Sequence, residues 1–595
     1  MSNSFRKVDT TSYRYIVEEN VDIPVKEFGT PIRCNVYRPK ASEQGQKFPV
    51  IMTYGPYGKD IHYQFFNEKS YREVNPEQHS DHAVFEVPNP SYWTNNGYVV
   101  VRCDERGAGQ SPGYLDVLSK STIDGFFSAI EWAAEQPWST GKIGLLGISY
   151  YAATQWGVAA RNPKGLAAIV PWEGFSDYYR DSSRHGGILS NTFPRFWYEK
   201  QILSNQYGLP GRAARNWGHD TLEGDLSDEE LKNNRHDLRD RLHETPYRDD
   251  PDAISREFNL ANIRVPVLSV GNWGGYLLHL RGNIEGYNLV TSKFKYLRTI
   301  AGRHDLPFYY SEEVELQRSF LDAFLKGEDR VGWTVPGKVP PVDLVIRKGN
   351  AGVNNPEGEK MFPRRQENEW PIARTKYTKY YLSPSGEMTT AKPKIEEPQS
   401  LEYRTLTSPE DSDVVTFTTS PLDGELEITG HITAIVNVSV DADTDPGCPP
   451  PSDIDLFVTL RHIGVDGKEI FYSGTIGDPA AVCKGFLRVS HRKIQESHKL
   501  HRPYLPYRTY HKADLQVVKP GEIYKATIEI WPTSVVLEEG EKLRFEVSGG
   551  DTQGAGIFLH NDPRDRNIVI HGRKNRLHFG PGIENFVTLP VIPSK

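Results

Sequence analysis

The stretch Gly144-Leu145-Leu146-Gly147-Ile148-Ser149-Tyr150-Tyr151-Ala152 joins a short apolar run to an alanine-rich segment, with a serine at the junction. A buried strand enters through GLLG, Ser149 sits at the turn, and a helix leaves over residues 150–161. A nucleophile elbow needs this context, because a sharp turn lifts the hydroxyl above the sheet. The helix N-terminus then offers N–H groups and a positive dipole end to a developing oxyanion. The small residue that lets strand and helix pack closely falls at Ala152, so strict G-x-S-x-G spacing is not met. A plain strand–turn–helix junction with Ser149 as N-cap fits the same residues.

Outward from the elbow, continuous apolar runs recur at 50–53 (VIMT), 98–103 (YVVVRC), 166–170 (LAAIV), 265–270 (VPVLSV) and 296–301 (YLRTIA). Such runs predict strands buried on both faces. Between them, residues 122–136 carry Ile123, Phe126, Phe127, Ile130 and Trp132 at near-helical spacing, and Pro137 ends the pattern. Strands alternating with helices predict an α/β fold whose chemistry lies at the carboxyl ends of parallel strands. The rhythm breaks over 175–261, a polar and aromatic insertion that reads as a lid or cap, with a surface decoration remote from the site as the alternative, and with one solvated helix at 225–240 (DLSDEELKNNRHDLRD). After Lys326-Gly327 helix signals fade, and PGKVPP at 336–341 marks a boundary. Alternating runs at 428–440, 455–461, 524–531 and 543–547 then predict a β-sandwich of jelly-roll type. The expected organisation is an α/β core over 1–174 and 262–335, an insertion over 175–261, and an all-β sandwich over 336–595.

The 595 residues are 37% hydrophobic, 25% charged and 11% aromatic, a composition that supports several packed domains and excludes disorder. A formal charge of −8 lacks the basic footprint of a nucleic-acid binder. Without a long apolar run or an apolar leader, a cytoplasmic protein is expected, with no membrane partner. Cys34, Cys103, Cys448 and Cys483 have no metal-type spacing, and neither a metal nor a cofactor is expected. Asp453 and Asp455 share one strand face but lack a calcium loop.

A serine hydroxyl needs a base to become nucleophilic. His304, in Ala301-Gly302-Arg303-His304-Asp305, follows a late strand and is the histidine placed for this work. Asp104 and Arg106 are expected to organise a neighbouring loop, and His279 and Arg281 to anchor a helix start.

Thr53-Tyr54-Gly55-Pro56-Tyr57-Gly58-Lys59, the run Cys103-Asp104-Glu105-Arg106-Gly107-Ala108-Gly109-Gln110-Ser111, and Gly147-Ile148-Ser149-Tyr150 together resemble a known group. They are similar to the motifs of cocaine-esterase and X-Pro dipeptidyl-peptidase-type serine hydrolases, as are Arg303-His304-Asp305 and Phe324-Leu325-Lys326-Gly327. The resemblance implies an α/β-hydrolase core with a helical cap and a C-terminal jelly roll. It implies that Ser149 is acylated, that His304 is the general base, and that the Tyr57 phenol and the Tyr150 N–H bind the oxyanion. One position departs from the pattern: Gly275, in Gly271-Asn272-Trp273-Gly274-Gly275, stands where the resemblance places the triad aspartate. Glu173, in Pro171-Trp172-Glu173-Gly174, is the first replacement and Asp305 the second, with a dyad or a lost activity as further alternatives.

The expected reaction is cleavage of a small-molecule carboxylic ester, with an amide as a lesser possibility, through an acyl-enzyme. Trp172, Trp273 and Phe175 are expected against the substrate, and the cap aromatics Tyr178, Tyr179, Phe193, Phe196 and Trp197 around it. An acyltransferase using the same acyl-enzyme and a binding protein on a hydrolase scaffold are the alternatives. A homodimer through the sandwich is compatible with this reading.

Overall fold

A computed structural model describes residues 5–442 and 449–593. Cys448 lies outside them. Eleven strands form the first sheet: β1 (Lys7–Asp9), β2 (Tyr15–Ile23), β3 (Ile32–Pro39), β4 (Phe48–Gly55), β5 (Val99–Asp104), β6 (Ser139–Ile148), β7 (Leu166–Trp172), β8 (Val267–Asn272), β9 (Lys295–Ile300), β10 (Val342–Val345) and β11 (Arg364–Glu367). Their spatial order is β1-β2-β3-β5-β4-β6-β7-β8-β9-β10-β11. Every pairing from β5 to β10 is parallel, whereas the outer pairs are antiparallel. Every residue of β4, β5 and β8 is buried, which is why these segments read as unbroken apolar runs. The sheet also recruits β10 and β11 from beyond the PGKVPP stretch.

Two helices pack close to the site. Lys120–Glu135 starts at a capping box between Ser119 and Thr122, and buries Phe126, Ala129, Ile130 and Ala133. The elbow helix Tyr150–Ala159 is buried along its whole length, so small residues must face it. A Cβ on Gly147 would lie 2.6 Å from Tyr151 Cβ, and one on Gly174 would lie 2.6 Å from Ala152 Cβ. Both glycines therefore let neighbouring strand ends close on this helix.

The insertion consists of short helices, among them Thr192–Trp197, Asp228–Asn233, Leu238–Glu244 and Pro251–Ile254. The single helix expected at 225–240 is two. Its middle pairs with Leu115 instead: Leu115 N–H donates to the Asn234 carbonyl at 2.9 Å, and His236 N–H to the Leu115 carbonyl at 2.8 Å. Asp237 then caps the second helix through Arg239 N–H.

Among the described residues, the C-terminal region forms a 13-stranded, mostly antiparallel sheet, a jelly-roll-like β domain. Its longest strand, Leu426–Val440, runs against Tyr524–Leu537, with a shift of register between Gly430 and Ile432. The sheet packs on the loop after β8: Trp273, Tyr276, Leu277 and Leu280 share one buried cluster with Ile428, Ile432 and Ile530. Arg281 is drawn into the same contact, with Nε donating to Glu529 at 2.6 Å. The sandwich thereby fixes the segment that carries His279.

Candidate active site

Five side chains converge at the carboxyl ends of the parallel strands. Tyr57 follows β4, Ser149 follows β6, Glu173 follows β7, His279 lies beyond β8, and His304 follows β9. The strand order reverses between β4 and β6, the crevice where open α/β sheets place ligands. Ser149 has φ 58° and ψ −114°, a strained conformation for a non-glycine residue. Its N–H is held at 3.1 Å from both the Trp172 and Glu173 carbonyls, and its own carbonyl accepts from Ala153 N–H at 2.7 Å. The turn is held from both sides, and the hydroxyl is left facing the cavity.

His304 Nδ1 lies 2.8 Å from Glu173 Oε2. Glu173 is fully buried with φ 49°, and its other oxygen accepts from Asn272 Nδ2 at 3.1 Å. A Cβ on Gly275 would start 3.0 Å from that same Glu173 Oε2. Glycine at 275 therefore leaves the space that the Glu173 carboxylate fills. Asp305, the second candidate acid, is engaged elsewhere: it accepts from Arg303 Nε at 2.6 Å and from the Ser70 hydroxyl.

The opposite nitrogen, His304 Nε2, faces Glu86 Oε1 at 3.2 Å. Burial lifts the Glu86 carboxyl to about 7 against the opposing pull of His304. His304 shows the reverse balance: burial pulls it down, but Glu173 and Glu86 outweigh this and hold the imidazole well above its ordinary value. Glu86 has φ 63°, its carbonyl accepts from Ile148 N–H at 3.0 Å, and its Oε2 has no protein partner among the described residues. No local motif announces this residue.

Ser149 Oγ is 3.2 Å from Nε2 of His279. The role of that ring follows from its other nitrogen, which accepts from the Phe175 N–H at 3.2 Å. A backbone N–H can only donate, so Nδ1 carries the lone pair and the proton of a neutral ring sits on Nε2. Burial and the neighbouring His304 keep His279 well below its ordinary value, hence neutral. Its Nε2–H therefore donates to Ser149 and cannot take the serine proton. The ring is sandwiched between Phe175 (5.8 Å, 5°) and His304 (5.1 Å, 11°). The expected helix-start anchor thus directs its side chain into the site, whereas Arg281 bridges Asp181 and Glu529.

The Tyr57 phenol accepts from Trp197 Nε1 at 2.7 Å, which leaves its own O–H to donate. Burial pushes its pKa well above the usual phenol value, so it stays a neutral donor. The Tyr150 N–H opens the elbow helix and lies outside its i→i−4 ladder. A cavity of about 30 Å³ is lined by Tyr57, Ser149, Phe175, Tyr178, Trp197 and His279, among others. Two expected substrate contacts are corrected. Trp172 is fully buried with its ring edge-on to Phe308, and Trp273 donates to the Val345 carbonyl at 2.8 Å within the core shared with the β domain. Neither lines the cavity. Asp455 is saturated by Arg488, Arg566 and His571, and among the described residues no group of His, Cys, Asp and Glu is arranged to hold a metal.

Residues 29–304 match the model of the X-Pro dipeptidyl-peptidase (S15) family, and residues 335–588 match that of the X-Pro dipeptidyl-peptidase C-terminal non-catalytic domain. The chain belongs to the cocaine-esterase and X-Pro dipeptidyl-peptidase type of serine hydrolases. This serine hydrolase is 22% identical to the cocaine esterase of Rhodococcus sp., over 97% of this chain and 99% of that one. A solved CocE/NonD family hydrolase from Staphylococcus aureus superposes on the enzyme with a TM-score of 0.78 and 26% identity, over 98% and 96% of the two chains. An aminopeptidase from a marine-sediment thaumarchaeon shares the fold, with a TM-score of 0.67 and 16% identity.

Proposed function

We propose that this hydrolase cleaves a small-molecule carboxylic ester through an acyl-enzyme on Ser149, with His304 as general base and Glu173 as the acid of the triad. The observation that carries the reading is the Glu173–His304 contact of 2.8 Å, with His304 stacked at 5.1 Å on the His279 ring whose Nε2 meets Ser149 Oγ. Of the two rings near Ser149, His304 has a carboxylate on its distal nitrogen to stabilise an imidazolium, whereas His279 has a backbone N–H there. His304 Nε2 takes the Ser149 proton as Oγ attacks the acyl carbon, and the Tyr57 O–H and Tyr150 N–H receive the oxyanion. Collapse of the tetrahedral intermediate breaks the ester C–O bond, and the imidazolium returns its proton to the departing alkoxide. Water then repeats the sequence, with Ser149 Oγ as the leaving group. His279 Nε2–H donates to that oxygen throughout and supports it as charge develops.

No helix among the described residues is long and apolar enough to cross a membrane. A cytoplasmic site of action remains part of this proposal. The test is a fluorophosphonate label with p-nitrophenyl acetate turnover. Wild-type enzyme should label once and hydrolyse the ester, and Ser149→Ala should do neither while keeping its thermal melt. Labelling or turnover that survives Ser149→Ala would end the assignment.

A further inference from the structure

The cavity over Ser149 is small, about 30 Å³. The reacting ester group fits there, but an extended arm does not. A second cavity of about 630 Å³ adjoins it, between helix Lys120–Glu135, the second turn of the elbow helix, and helix Pro251–Ile254 of the insertion. The two share Leu118, Phe175 and Tyr178 as their common wall. Building on the function proposed above, we infer that this outer chamber binds the long arm of the substrate, an uncharged hydrocarbon or aryl group that passes Leu118 to reach Ser149.

The chemistry of the lining selects that class. Leu118, Ile123, Phe175, Tyr178, Ile254 and Phe258 supply its apolar surface. The charges at its edge are already paired among the described residues. Lys120 and Arg161 both meet Asp124, Arg256 meets Asp116 and Asp252, and Glu257 meets Arg248. Hydroxyls in the wall are likewise engaged: Ser119 donates to the Asp116 carbonyl at 2.7 Å, and Thr154 to the Tyr150 carbonyl at 3.0 Å. A carboxylate arm would meet Lys120 and Arg161, two partly exposed cations that already share Asp124 at the edge. It would lose its water along the apolar wall, so an ionised arm is disfavoured. The volume lies within the range of small-molecule sites.

Leu118 is the gate. It has φ 59°, a left-handed backbone that costs a leucine but not a glycine, and its N–H is held by the Tyr150 hydroxyl at 3.0 Å. That bond ties the wall between the chambers to the first residue of the elbow helix.

Two ester series test the chamber and identify which arm it takes: p-nitrophenyl esters of lengthening fatty acids, and acetates of lengthening alcohols, each below its micellar limit. In one series kcat/KM should rise by about fourfold per methylene until the chamber is full. Ile123→Trp, which puts an indole into the chamber, should cut that rise short at fewer methylenes and leave the shortest ester within about twofold of wild type. Leu118→Gly, which keeps the backbone hydrogen bond, should extend cleavage to branched and aryl arms. The inference falls if neither series shows a rise, or if the rise survives Ile123→Trp unchanged. It also falls if Leu118→Gly leaves arm selectivity as it was. The shortest ester separates this from the catalytic assignment: a flat series with Ser149-dependent acetate turnover removes the chamber alone, whereas acetate turnover independent of Ser149 removes the catalytic assignment.

Discussion

Glu173–His304 in the first sheet and Asp551–His560 in the C-terminal sheet are chemically alike. Each is a buried carboxylate on the Nδ1 of a buried imidazole, at 2.8 Å and 2.9 Å. Their second nitrogens differ. His304 Nε2 faces Glu86, and its ring stacks on His279, which lines the cavity over Ser149. His560 Nε2 closes at 2.9 Å on His185 Nδ1, and His185 Nε2 in turn closes on the Asp181 carbonyl at 3.2 Å. Burial and the neighbouring His560 push His185 down to about 3, so that ring is a neutral link. The second pair ties the insertion to the β domain. A histidine–carboxylate contact therefore does not by itself make a site; a strand-end position, a strained serine and donors aimed at one cavity distinguish the first pair from the strut.

The largest effect should come from breaking the first pair. Glu173→Gln keeps the shape and removes the charge, and kcat for acetate ester hydrolysis should fall by roughly 10⁴. Restoring a carboxylate with Gly275→Asp should succeed only when position 173 is also shortened, because the two side chains compete for one space. A Glu173→Gln enzyme within tenfold of wild type would place the working acid elsewhere. Tyr57→Phe removes one oxyanion donor and should cost about 10²–10³ in kcat with little change in KM. Trp197→Phe should cost less, since it frees the phenol to rotate but leaves the O–H in place.

A smaller effect should appear in the pH profile. Glu86 and His304 face each other across Nε2, so the acid limb of kcat/KM reports the loss of a shared proton rather than either group alone. Glu86 supports the imidazolium, and its removal lowers the His304 pKa. The free base is then available at lower pH, so Glu86→Gln should move the acid limb downward and leave the alkaline plateau near wild type. An upward move or no move would show that Glu86 does not act on His304. Smaller again is His279→Phe, which keeps the ring stack and removes the donor to Ser149. The loss of one hydrogen bond is worth about 1 kcal/mol, or roughly fivefold in rate, and His279→Gln should recover part of it. Single-turnover kinetics should place the loss mainly in deacylation, where Ser149 Oγ leaves.

Much of this site is legible from local pattern. The apolar runs of β4, β5 and β8 are buried throughout and those of β6, β7 and β9 mostly so, which is why strand and sequence coincide, and the elbow follows from one of them. Glu173 could be singled out because it ends a strand adjacent to the elbow. Glu86 could not: it lies in a loop without periodicity and reaches His304 only through a left-handed backbone. His279 looked like a helix start because it precedes Leu280–Leu289, and only the Phe175 N–H, set by tertiary packing, fixes what its ring does. Trp172 and Trp273 misled for the opposite reason. They flank site residues in sequence, but their bulk is spent in the core, where a neighbour in the chain points to the other side of the strand end.

The strut supplies the converse prediction, with no effect on chemistry and a clear one on stability. Asp551→Asn should leave kcat for acetate esters within twofold, since Asp551 and His560 meet each other, His185, Phe457 and Phe486, none of which lines the cavity over Ser149. It should nonetheless lower the melting temperature, because removing one partner of a buried charged pair costs about 3–5 kcal/mol. The pH dependence fixes the cause. Burial pushes the Asp551 carboxyl up, but His560 outweighs it and holds the group below its ordinary value of 3.8. A carboxyl depressed in the folded state stabilises it above that value and loses the contribution as pH falls through the folded pKa. The gap in stability between wild type and Asp551→Asn should therefore be full at neutral pH and narrow on acidification below about 4. A gap that stays constant across that range would mean that Asp551 acts through packing, and the likeness between the two pairs would then be one of shape rather than of charge.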